Sequence, residues 1–192
     1  TIEEKQAIEK AKTEHNKDVL LYNENENNNK YSAGASKTTK DKIIISRQQA
    51  EVFGLEKMIE HETVESDIIH NEMARDILEP VKDIIMKDSN FELQKEKFWE
   101  GQDSNIPSNE LIAKDIICDR FSEIRTGETL DYENVLSNAS NSIIDGALSN
   151  YYKQLYGKEL VNASSFNLRN NNSNLQQNIT DNSINPLTQQ TN

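Results

Sequence analysis

Most of the apolar residues of this chain fall between residues 43 and 160, and that concentration decides what can fold. Hydrophobic residues make up 34% of the 192, below the roughly 45–50% apolar content of an ordinary globular domain. Two stretches account for the deficit. Residues 162–192 hold ten Asn, four Gln, four Ser and three Thr. Such a segment has too little apolar surface to offset the entropy of ordering, so the Asn/Gln-rich tail (161–192) is expected to be disordered. Residues 23–42 open with Asn-Glu-Asn-Glu-Asn-Asn-Asn and read as a polar linker.

Between these stretches the apolar period is helical. The run from Gln48 to Leu78 predicts a helix, with Pro80 either kinking it or starting another. A short helix holds Phe91, Phe98 and Trp99. Ser108 and Gly127 bracket a helix carrying Ile112, Ile116, Ile117 and Ile124. The widest stripe, Leu136, Ala139, Ile143, Ile144, Ala147, Leu148, Tyr151 and Leu155, ends at Gly157. Only Lys42–Ser46, with three consecutive Ile, looks like a strand. The expected fold is mainly α: a compact bundle of four or five helices over residues 43–160, with at most one short strand. Residues 1–22 form a separate amphipathic helix with a thin stripe of Ala7, Ile8, Ala11, His15 and Val19. Thr1 and Glu4 suit a capping box. On the polar linker, this helix is expected to dock weakly or to bind a partner.

Charge excludes some functions. The net charge is −12. Broad nucleic-acid binding needs clustered Lys and Arg, and every such cluster here has carboxylates beside it. No apolar run approaches the roughly 20 residues of a membrane span. Cys118 stands alone, so it makes no intrachain disulfide and no Cys-rich zinc cluster, which points to a reducing compartment such as the cytoplasm. Between Glu51 and Glu100 there are 14 acidic and six basic residues. These features favour an acidic helical module that binds a basic protein partner.

One local pattern carries chemistry. His61-Glu62-Thr63-Val64-Glu65 lies inside a predicted helix, and residues four apart share a face. His61 and Glu65 are therefore spaced to grip one ion, and Glu62 lies on the same side. On the helix at 108–126, Glu123 falls among apolar positions and is expected to face the core. The simplest alternative is a solvated, salt-bridged face.

The strand-like Ile43-Ile44-Ile45-Ser46, the helix through Leu55-Glu56 to His61-Glu62, the later Ser122-Glu123-Ile124-Arg125 and Ile143-Ile144-Asp145 resemble a zinc metallopeptidase of the His-Glu-x-x-His type. The nearest likeness is to the mitochondrial inner-membrane family that processes an ATP synthase subunit. The resemblance implies zinc held by His61, Glu65 and Glu123, with Glu62 as general base. Glu65 stands where that family has its second His, so the likeness implies an inactive relative as readily as an active one.

Overall fold

The computed structural model describes residues 1–23, 37–100 and 106–161. Helix α1 (Ile2–His15) starts with the expected capping box between Thr1 and Glu4 and ends at Asn16, which turns left-handed at φ 53°. That turn sends the chain directly into strand β1 (Asp18–Tyr22). Strands β2 (Lys37–Thr39) and β3 (Lys42–Ser46) follow, and β3 leads into α2 (Arg47–Phe53). The remaining helices are α3 (Leu55–His70), α4 (Glu72–Met86), α5 (Phe91–Phe98), α6 (Asn109–Thr126) and α7 (Asn138–Tyr156).

The mainly helical class is shown, but the helical count and the strand count both change. Seven helices and a three-stranded sheet of order β1-β3-β2 are present among the described residues. β1 runs parallel to β3, with Val19 opposite Ile43 and Leu21 opposite Ile45, and β2 pairs antiparallel with β3. The helix expected over residues 1–22 ends at His15, and Val19, read as the last residue of its stripe, lies in β1 instead. Its partner lies beyond the Asn-rich stretch, so nothing local marked it as a strand. Residues 24–36 of the expected linker, and the expected tail from 162 onward, lie outside the described residues.

The helix expected from Gln48 to Leu78 breaks at Gly54 and Asn71 rather than at Pro80. Gly54 adopts φ 87°, a left-handed region that residues with a Cβ avoid. The Asn71 side chain accepts from Ala74 N and starts α4, while Pro80 is accommodated inside that helix.

Two apolar clusters organise the packing. The larger joins α3, α4, α6 and α7 through residues such as Val64, Leu78, Ile85, Ile117, Phe121 and Leu148. The smaller lies between the sheet and α1 and α3, where Ala11, Ile43, Ile45 and Ile59 meet. α3 is thus covered on several sides, and its buried residues include Lys57, Glu60, Glu62, Thr63, Ser66 and Asp67. Its apolar residues do not share one side: Ile69 is 48% exposed, while Ile59, Val64 and Ile68 are buried.

Polar groups fasten α1 and the sheet to this frame. Lys17, buried at 4% exposure, donates to Lys40 O (2.7 Å), Ser66 Oγ (2.9 Å) and Asp67 Oδ1 (2.9 Å). Asp67 Oδ2 in turn accepts from Tyr151 OH (2.6 Å) and from Tyr156 OH. His15 Nε2 lies 3.0 Å from Glu60 Oε2. Lys10 pairs with Glu56, Arg47 with Glu4 and Arg125 with Glu14. α1 is therefore docked through ion pairs more than through its thin stripe. Removing one member of a buried pair leaves the other charge uncompensated, at about 3–5 kcal/mol. Asp67→Ala is expected to destabilise the protein by about that amount in urea unfolding. Asp18→Ala, at the exposed pair with Lys12, should cost under about 1 kcal/mol.

Candidate functional site

An open cleft of about 1020 Å³ lies between α3 and α6, closed on its remaining sides by α2, the end of α5 and the segment before α7. Each wall contributes a distinct chemistry. α3 turns Met58, His61 and Glu62 into it, and α6 adds Asp115 and Asp119, four residues apart on one face. The end of α5 supplies Phe98, Trp99 and Glu100, and the segment beyond α6 supplies Asp131, Tyr132 and Glu133. Phe98 stacks on Trp99 at 6.2 Å between centroids and meets Tyr132 edge-on at 5.0 Å.

The structure brings three of the four sequence-predicted site residues together. His61, Glu62 and Glu65 each offer one ligand atom, all within 4.8 Å of one another. Glu123 is not part of this group. Instead of facing the core it is half-buried and pairs with Arg120, which also binds Asp145 through Nε (2.7 Å) and Nη2 (2.8 Å). The guanidinium offers a charge-assisted partner at the helix edge, which a buried carboxylate would lack. The residue of α6 that does meet His61 is Asp119, one turn earlier, which the sequence reading missed. A signal existed: Asp115 and Asp119 are spaced four apart like His61 and Glu65 across the interface.

His61 Nδ1 donates to Asp119 Oδ1 at 2.7 Å, and Tyr132 OH donates to Asp119 Oδ2 at 3.1 Å. Burial works against the imidazolium. The Asp119 carboxylate, helped by Glu62 and Asp115, more than reverses it and lifts the His61 pKa to about 9. Burial dominates at Glu62: despite the charge on His61, and with Glu65 adding to the rise, its carboxyl is pushed up to about 8. Glu65 goes the other way. Its burial is outweighed by the Lys114 ammonium, which contacts it directly and holds it below the usual carboxylate range. Burial also raises Asp115 to about 6. The floor of the cleft thus binds protons more tightly at His61 and Glu62 and less tightly at Glu65. Glu62 Oε2 is buried without a hydrogen-bond partner. Cys118, behind this floor, is fully buried, and burial pushes its thiol well up.

No protein-family model, no curated protein and no solved structure matches this chain.

His61 and Glu62 both hold protons more tightly folded than unfolded, so both make the fold less stable as pH rises. The His61 contribution is complete below pH 6.5 and is lost through about 9. That of Glu62 is complete below 4.5 and is lost through about 8. Glu62→Gln keeps the neutral form at every pH. The variant is expected to match wild type below about pH 4 and to gain on it steadily as pH rises through about 8, by several kcal/mol near pH 8.5. A difference in Tm independent of pH would contradict this assignment.

Proposed function

We propose that the protein is an acidic helical interaction module whose cleft receives a basic segment of a protein partner. The observation that carries this reading is the pairing of the Phe98-Trp99-Tyr132 aromatic wall with facing carboxylates in one cleft. Six carboxyl residues line it (Glu62, Glu100, Asp115, Asp119, Asp131 and Glu133) against three basic ones, Lys57, Lys97 and His61. An Arg or Lys side chain suits such a site, because its stem packs on aromatic faces while its charge meets carboxylates and ring quadrupoles. The net charge of −12 supports the same partner by steering basic ligands towards the protein.

The docking of α1 favours the cleft over α1 as the binding surface in this reading. His15, Lys10, Glu4 and Glu14 are engaged within the fold, so α1 is part of the scaffold rather than a free capture helix. No helix among the described residues is long and apolar enough to cross a membrane.

Trp99 is the only tryptophan and lines the cleft, so its fluorescence reports occupancy. An Arg/Lys-rich peptide is expected to change that fluorescence saturably, with weaker binding at higher salt. An acidic peptide of equal length should leave it unchanged. Asp131 and Glu133 are 64% and 69% exposed in their side chains. Replacing both by their amides should raise Kd by roughly 3- to 10-fold without unfolding, as expected for rim charges. A Kd insensitive to both salt and these changes would defeat the proposal.

A further inference from the structure

The buried carboxyl pair at the cleft floor leaves one carboxyl oxygen unsatisfied. Glu62 is 7% exposed, and its Oε2 lies buried with no hydrogen-bond partner. Leaving such an oxygen dry and unpaired costs about 1–3 kcal/mol. It sits in a group in which Glu62, Glu65 and His61 present ligand atoms within 4.8 Å of one another. Besides the His61 ring, the Lys114 ammonium faces the pair, and of the two carboxyls it contacts Glu65.

The His61 ring is set up for a further bond. Asp119 takes the proton of Nδ1 at 2.7 Å, which leaves Nε2 as the nitrogen with a lone pair once the ring is neutral. A carboxylate on one nitrogen fixes the tautomer and orientation of a metal-binding imidazole. Asp119 is itself steadied by the Tyr132 hydroxyl. The Lys114 ammonium also lies 3.8 Å from Asp115 Oδ1, so it has a second carboxylate to turn to when displaced from Glu65.

The other group of this kind, Glu14, His15 and Glu60, also has a buried ring nitrogen without a partner, His15 Nδ1, but differs at its carboxylates. Arg125 reaches both Glu14 and Glu60, and Lys10 lies 4.0 Å from Glu60, so two cations already serve its carboxylates.

We propose that Glu62, Glu65 and His61 bind one divalent transition-metal ion at the floor of the cleft, with Asp119 as the positioning residue and Lys114 occupying the cation's place when it is absent. One imidazole nitrogen with two carboxylates favours a zinc-like ion over calcium or magnesium, which take oxygen ligands. This ligand set replaces Glu123 by Glu62. The inference goes beyond the peptide-binding reading and stands apart from it, since peptide binding can be measured with a chelator present.

Calorimetric titration of the full chain with Zn²⁺, after treatment with a chelator, tests the site. Saturable 1:1 binding is expected, together with a Tm that rises with zinc concentration. Glu62→Gln and His61→Ala should each weaken binding by about 10-fold or more. His70→Ala, which removes an exposed imidazole elsewhere, should leave it unchanged, and Ca²⁺ should bind far more weakly. Glu62→Gln retains size and neutrality, so it decides the matter should His61→Ala fail to fold. Absence of saturable zinc binding, binding that survives Glu62→Gln, binding lost in His70→Ala, or calcium binding as tight as zinc would each overturn the proposal.

Discussion

A single buried carboxylate, Asp67, ties the elements of the smaller apolar cluster to those of the larger. One of its oxygens takes the Lys17 ammonium, and the other takes the hydroxyls of Tyr151 and Tyr156. Lys17 extends the link to the carbonyl of Lys40 in the β2–β3 turn. The α1–β1 junction, the sheet, α3 and α7 thus converge on one residue. The two apolar clusters, one around α4, α6 and α7 and one under the sheet, meet across this polar seam. Charges taken out of water must be closely matched to be tolerated. Here three donors converge on one side chain, and that closeness fixes how α1 sits on α3.

The consequence for α3 is a helix without a clear wet face. Sheet and α1 cover one side, while α4 and α6 cover others, so polar residues are buried in pairs rather than turned outward. A hydrophobic stripe can be read from sequence only when one side of a helix faces water. Which side of α3 packs was therefore not legible, although the helix itself was evident. Helix ends were legible because their signals are local: Thr1 with Glu4, Ser108 before α6, and Gly127 and Gly157 as left-handed caps. β1 was not, because its identity depends on a parallel partner more than 20 residues away. Parallel pairs are made through long connections and leave no hairpin signal.

The candidate site was half legible for a similar reason. His61, Glu62 and Glu65 share one helix, and helical geometry alone places them together. What completes the floor comes from α6, and there the sequence could not distinguish Asp115, Asp119 and Glu123 as the residue facing His61. The choice is made by Arg120, which draws Glu123 and Asp145 to the helix edge, leaving Asp119 opposite the imidazole. Long-range charge pairing has no periodicity in sequence, yet it determines which carboxylates line the cleft.

Cys118 gives this arrangement a chemical clock. Its thiol is fully buried behind the cleft floor, and burial together with the carboxylates of Glu65 and Asp115 suppresses the thiolate. Only the thiolate reacts with alkylating agents, so the folded core shields the chain's one sulfhydryl both sterically and electrostatically. Labelling then proceeds through openings that part α3 from α6, the same two helices that form the cleft. A residue with no part in binding becomes a native, tag-free gauge of how often that interface breathes.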